Sequence, residues 1–190
     1  MVMTPPRFVL VAPSDLDGQT LQVCAEAATK SGDCASILVP ETITANGVTS
    51  LQSLGLAVII RDCEPRMVHH LKADGIHIAR SAPVKNLRAT FKTETIGVFA
   101  ATSRHIAMEA AETGADYIAF AQKSQTGGEP LIGWWHDIIE IPCIAFDSVT
   151  PEDLATLLPQ KPDFIRPMDV MWKDAAAAAA TVSSLASRLK

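Results

Sequence analysis

The chain predicts an α/β fold: a compact single-domain (β/α)8 barrel, the TIM-barrel architecture, spanning residues 1–190. Three observations carry that prediction. Eight short runs rich in branched apolar residues recur along the sequence: FVLVA from Phe8, ASILV from Ala35, LAVII from Leu56, GIHIA from Gly75, TIGVF from Thr95, YIAFA from Tyr117, PCIAF from Pro142 and DFIRP from Asp163. Their starts lie 19 to 27 residues apart, the length of one strand and one covering helix with short loops. The runs are apolar on both faces, as strands of a parallel sheet under helices are. Eight such units close a barrel, whose chemistry sits at the carboxyl ends of its strands. An open doubly wound sheet is the rival, and the evenness of the eight repeats argues against it.

The first helix is expected from Gly18 to Lys30, where Leu21, Cys24, Ala25 and Ala28 form an i, i+3, i+4, i+7 stripe that Ser31-Gly32 ends. A weak second helix covers Thr44 to Ser53, interrupted by Gly47. The third runs from Glu64 to Lys72 with Pro65 in its first turn, and Pro83 opens the fourth, which ends near Phe91. Ser103 caps the fifth, whose stripe of Ile106, Ala107, Ala110 and Ala111 stops at Gly114. Only Leu131 to Ile139 can supply the sixth. Thr150-Pro151-Glu152-Asp153 reads as the start of the seventh: a threonine cap, proline at the first position and acids in the first turn. The eighth, from about Lys173, carries six consecutive alanines from Ala175 to Ala180 and so combines high helix propensity with close packing.

A chain of 190 residues is short for a barrel, where ~250 is usual, so its loops must be trimmed. The formal charge of −5 argues against a general nucleic-acid binder. No run approaches the ~18 apolar residues of a membrane span, and the amino-terminal apolar stretch is too short for a signal peptide. A soluble, cytoplasmic protein is expected. Cys24, Cys34, Cys63 and Cys143 show no CxxC pairing and read as buried thiols in a reducing compartment.

Just past the strands stand Ser14 and Asp15, Glu41 and Thr42, Arg61 and Asp62, Arg80 and Ser81, Phe99 and Thr102, Gln122 to Ser124, Asp147 and Ser148, and Arg166 and Asp169. Two readings of this rim are open. Arg61, Arg80, Lys123 and Arg166 hold an anion, or they pair with Asp62, Asp147 and Asp169 and close the mouth with salt bridges. His77, between Gly75 and Ala79 on its face of the strand, is either a hydrogen-bonded structural histidine or a pocket residue. His69 and His70 read as helix-surface residues, and His105, in the first turn of the fifth helix, as at most a minor acid or base. Gly127-Gly128 forms a phosphate nest or simply a turn. Of Trp134 and Trp135, one packs on the barrel and the other belongs to a subunit interface or a ring-stacking surface. Trp172 either packs or lines the pocket.

The order of segments resembles the thiamine phosphate synthase family, whose relatives include a thiazole tautomerase. AVIIRDCEPRMVHHLKADGIHIARSAP, from Ala57, resembles the family's third strand, Asn-Asp pair, helix and Ala-Asp-Gly-Val-His-Leu-Gly. IGVFAATSRHIAMEAAETGADYIAFAQ resembles its Ile-Gly-Val-Ser segment followed by Gly-Ala-Asp-Tyr-Ile-Gly. IPCIAFDSVTPEDL resembles its Ile-Pro-Val-Val-Ala-Ile-Gly-Gly-Ile-Thr-Pro-Glu. About two thirds of the chain is covered. The resemblance implies a transferase of thiamine biosynthesis that joins hydroxymethylpyrimidine diphosphate to thiazole phosphate, releasing pyrophosphate with the help of Mg2+. It implies small phosphorylated metabolites as ligands, and the chain is also expected to form a homo-oligomer.

Carried over position by position, Asp62 matches one family magnesium ligand and Glu41 the one acid surviving after strand two. The catalytic candidates are thus Asp62, also the metal candidate, and Lys123. The substrate-binding candidates are Glu41, Arg61, His77, Arg80, Thr126, Gly127, Gly128, Asp147 and Ser148. The departures fall on chemical positions. The asparagine before the metal aspartate is Arg61, the second metal aspartate falls at Ala82, and the serine after Ile-Gly-Val is Phe99. The Gly-Gly pair that offers backbone N–H groups to phosphate is Asp147-Ser148, and a serine after strand eight is Asp169. An activity weakened or lost is therefore expected. The alternatives are a non-catalytic descendant serving as a ligand-binding or assembly module, and a thiazole tautomerase-like isomerase.

Overall fold

In the computed structural model, which describes residues 4–79, 83–124 and 127–189, each apolar run overlaps a strand. These are β1 (Arg7–Val11), β2 (Cys34–Val39), β3 (Ala57–Arg61), β4 (Gly75–Ile78), β5 (Thr95–Ala101), β6 (Tyr117–Phe120), β7 (Cys143–Val149) and β8 (Phe164–Pro167). All pairings are parallel and follow chain order, and β1 pairs with β8, so the sheet closes. The open sheet is excluded. The helices between them are α1 (Gly18–Ser31), α2 (Ala45–Gln52), α3 (Pro65–Leu71), α4 (Val84–Thr90), α5 (Arg104–Thr113), α6 (Leu131–Ile138), α7 (Leu154–Leu157) and α8 (Ala175–Ala186).

Strand alternation gives two cores. Outward residues such as Phe8, Ile37, Ile60, Ile96 and Phe120 meet the helices, while Val9, Val11, Leu38, Ile59, Tyr117, Ala119 and Ile144 fill the bore. The alanine run of α8 is helix from its first residue, on the Asp174 cap, and it packs against α1 with Ala178, Val182 and Leu185 buried. Trp135 is buried and donates its indole N–H to the Ile141 carbonyl at 2.7 Å, whereas Trp134 is half-buried under the Arg104 guanidinium. Trp172 is buried, and the four cysteines are free and buried.

The seventh helix departs from expectation. Thr150 and Asp153 do cap one another, the Thr150 N–H reaching Asp153 Oδ2 at 2.7 Å and the Asp153 N–H reaching Thr150 Oγ1 at 3.3 Å. The residues between form a turn, and α7 is a single turn that passes into a 3-10 segment, Leu158–Gln160. Pro159 removes an amide donor there, and Lys161, in the left-handed region, ends it.

The floor of the barrel is fastened by four aspartates, each just before an even-numbered strand. Asp74 accepts the Val58 N–H at 2.7 Å, Asp116 the Ile96 N–H at 2.7 Å and Asp163 the Cys143 N–H at 2.8 Å. Asp33 instead pairs with Arg7 at 2.9 Å. In three cases the carboxylate satisfies an amide of the preceding strand that would otherwise lack a partner. Gly75 follows Asp74 because a Cβ there would stand 2.2 Å from the Thr95 carbonyl oxygen. Gly97 is required higher up, where a Cβ would lie 1.9 Å from the Tyr117 ring.

Candidate functional site at the barrel mouth

The bore narrows upward into an aromatic layer. His77 and Tyr117 both point inward, and His77 Nδ1 meets the Tyr117 hydroxyl at 2.8 Å. The His77 ring also stacks on Phe146, with centroids 5.4 Å apart and planes 11° from parallel, and Phe146 touches Phe99 at 5.1 Å. His77 is only 4% exposed. Burial, helped by the Arg61 charge, lowers its pKa to about 3, so the imidazole is neutral. Burial also pushes the Tyr117 hydroxyl well above its ordinary value, so one neutral hydrogen bond joins the pair.

Above this layer lie two arginines. Arg61, at the end of β3, reaches across β2 to donate to the Ala12 carbonyl at 2.6 Å, with Ser14 Oγ at 3.5 Å. Arg166, on β8, donates to the Phe146 carbonyl at 3.3 Å and to both Asp169 carboxylate oxygens at 2.7 and 2.9 Å. Its guanidinium carbon lies 5.3 Å from the centre of the Phe146 ring. Since β1 adjoins β8, the two guanidiniums converge on one sector of the mouth. Their proximity registers electrostatically: burial lowers the Arg61 pKa, the Arg166 charge lowers it further, and Asp62 and Asp169 oppose both.

A slip in β7 supports this arrangement. Ala145 pairs with Ile165 but Ser148 with Arg166, so Phe146 and Asp147 are extra residues on that strand. The slip frees the Phe146 carbonyl for Arg166.

Asp62 is exposed, with φ of 46°, a left-handed conformation uncommon outside glycine. Its N–H donates to the His77 carbonyl at 2.9 Å, and its Oδ1 accepts the Ala79 N–H at 3.1 Å. The residue thus clasps the ends of β3 and β4. Glu41 is exposed in the turn after β2.

Lys123, Asp147 and Ser148 form a second cluster. The Lys123 N–H donates to Asp147 Oδ2 at 2.7 Å, and its ammonium binds the Ser148 carbonyl at 2.8 Å and Asp153 at 2.7 Å. Burial alone would raise the Asp153 pKa, but hydrogen bonds from Lys123 and Thr150 bring it below its ordinary value. Lys123, Asp147 and Asp153, with Gln122, Gln160 and Leu157, line a cavity of about 130 Å³ between β7, α6 and α7, outside the bore. Gly127 and Gly128 have φ of 71° and 86° in the exposed loop after β6, the backbone of a turn. Arg80 and Thr126 lie outside the described residues, as does Ala82.

Of the rim pairings expected, Arg166–Asp169 forms, whereas Lys123 pairs with Asp153 rather than the Asp147 side chain and Arg61 binds backbone. Arg166 is a rim cation that stands outside the substrate-binding candidates. Magnesium takes hard oxygen ligands and often only one or two from protein carboxylates, the rest coming from substrate phosphates and water. Among the described residues no group of three or more His, Cys, Asp or Glu side chains could hold a metal ion. Asp62 alone meets the lower bound, so a magnesium ion there would depend on phosphate oxygens for the rest of its shell.

The closed sheet defines a (β/α)8 barrel with arginines gathered in one sector of its upper rim. The model of the thiamine monophosphate synthase family matches residues 8–166, and the chain belongs to that family. A thiamine-phosphate synthase of Rhodospirillum centenum is 30% identical over 200 aligned positions, covering 95% of this chain and 96% of the relative. One of Hyphomonas neptunium is 28% identical, covering 93% and 90%. One of Erythrobacter litoralis is 35% identical over 118 positions, covering 56% of this chain and 55% of the relative. A thiamine phosphate pyrophosphorylase from Pyrococcus furiosus has the same fold at a TM-score of 0.77 and 15% identity, covering 96% of this chain and 95% of that one.

Proposed function

We propose that this thiamine phosphate synthase-like protein joins hydroxymethylpyrimidine diphosphate to thiazole phosphate in thiamine biosynthesis, releasing pyrophosphate, at a rate well below that of relatives with intact motifs. The supporting observation is Asp62. The one family metal carboxylate retained stands at the carboxyl end of β3 in a backbone conformation costing about 1 kcal/mol, next to Arg61. Strain of this kind persists where function or surrounding structure demands it.

The transfer breaks the carbon–oxygen bond to the diphosphate and forms a carbon–nitrogen bond to the thiazole ring. Charge grows on the leaving diphosphate, and the Arg61 guanidinium is the chain's own group to offset it. Thiamine phosphate synthases use magnesium; here Asp62 would hold it, and when bound it neutralises diphosphate charge. Below, the His77–Tyr117–Phe146 layer walls the reacting groups off from the bore. Asp147 and Ser148 keep their backbone N–H groups but place side chains, one a carboxylate, where a glycine pair lets phosphate approach closely, and a donor put out of reach costs roughly 3 kcal/mol of transition-state binding, or about 100-fold in rate. No helix among the described residues is long and apolar enough to cross a membrane, and the buried free thiols suit a reducing cytoplasm.

Thiamine phosphate formation from the two substrates, measured with excess magnesium, tests the reading. The expected rate is at least ~100-fold below that of the Rhodospirillum centenum relative, falling further in Asp62→Asn. A rate equal to the relative's removes the proposed weakening. Formation below detection, with substrates still bound, favours a binding module, the reading that the filled aromatic layer supports.

A further inference from the structure

Arg61 and Arg166 present an electrostatic problem that the folded chain leaves unsolved. Two like charges are brought together in a partly buried sector, where both desolvation and repulsion act against them. Asp169 neutralises Arg166, and Asp62, at the exposed rim, is fastened to β4. Among the described residues, the Nε–H groups of both arginines are buried and have no hydrogen-bond partner, and no other buried side-chain nitrogen or oxygen shares that condition. Unpartnered buried donors are rare in native proteins and call for an acceptor. That the two occur on side chains which also repel each other points to one shared acceptor carrying negative charge.

We propose that Arg61 and Arg166 form a two-guanidinium clamp that holds a phosphoryl anion at the mouth without a metal ion. This deepens the reading above, resting on its placement of the ligand at the mouth, and assigns a binding role to Arg166. Each guanidinium is committed through Nη and keeps a buried, unpartnered Nε that must turn outward to reach a ligand. Arg61 is anchored by Nη2 on Ala12, and Arg166 by Nη1 on Phe146 and Nη2 on Asp169, leaving Nε of each to turn toward the anion. Planar guanidinium forks match phosphoryl oxygens, and anchoring them beforehand lowers the ordering cost of binding.

The test is calorimetric titration of the whole protein with inorganic pyrophosphate, once in excess EDTA and once in excess magnesium. Binding in EDTA, weakened at least tenfold in both Arg61→Gln and Arg166→Gln, is the expected result. Binding in EDTA that both variants retain overturns the clamp. Binding only with magnesium, abolished by Asp62→Ala, overturns the clamp and leaves the transferase reading intact; absence of binding in both buffers overturns both. Should either arginine variant fail to fold, Asp169→Asn decides. Removing that carboxylate frees an Arg166 donor and a competing charge, so pyrophosphate binding in EDTA should tighten several-fold, and unchanged or weaker binding overturns the proposal.

Discussion

The floor and the mouth of this barrel both place charged groups against strand ends, with opposite outcomes. At the floor, Asp74, Asp116 and Asp163 each accept an N–H from the preceding strand, and Arg88 joins Asp116. At the mouth, Arg61 and Arg166 keep buried donors without acceptors. Satisfied groups at one end fasten the fold, while two unpartnered N–H donors at the other await an acceptor. The Ala-Asp-Gly and Gly-Ala-Asp segments that mark the family are floor segments. A chain can therefore keep its family signature and fold while its chemistry drifts above.

The sharpest way to break this contrast is Arg61→Leu. Replacing a partly buried cation beside a like charge with an apolar side chain should leave thermal stability unchanged or raise it. Pyrophosphate affinity should drop by roughly 100-fold, about 2.7 kcal/mol, as measured by calorimetry. A destabilised variant with intact affinity would make Arg61 a floor-type residue. Asp116→Ala should do the reverse. It strands the Ile96 amide and removes the ion pair of Arg88, so denaturant unfolding should reveal a loss of about 1–3 kcal/mol with ligand affinity unchanged.

His77, between the two ends, adds a pH signature. Its pKa is about 3 when folded and near 6.5 when unfolded, so below pH ~6.5 the unfolded chain binds a proton that the native one refuses. Stability should thus be full above pH ~6.5 and fall on acidification toward pH ~3, with a slope of up to about 1.4 kcal/mol per pH unit from this group. Subtracting the melting profile of His77→Gln isolates the contribution, and identical acid slopes would remove it. The smallest effect is expected at Lys123→Met, where a half-exposed ion pair and a carbonyl contact are lost. Unfolding should become easier by about 1 kcal/mol or less, with no change in pyrophosphate binding.

All eight strands were legible because branched apolar residues in runs of four to seven leave few alternatives to a buried parallel strand. The seventh helix misled because its start signal is genuine: Thr150 and Asp153 do cap each other, but Pro159 cuts the helix short. The rim list could be written from the sequence, whereas the pairings within it could not. Arg61 and Arg166 meet only because the sheet closes and β7 slips by two residues, and neither leaves a local pattern. Lys123 looked like an anion ligand because the residue that claims its ammonium, Asp153, lies thirty positions downstream.

The Tyr117 ring occupies the volume that any side chain at position 97 would need. Those two sites on neighbouring strands therefore cannot diversify independently: enlarging one demands shrinking the other, and the shrunken version would also strip His77 of its hydroxyl partner. Engineering a wider, more polar channel through this scaffold thus requires all three positions to be exchanged together.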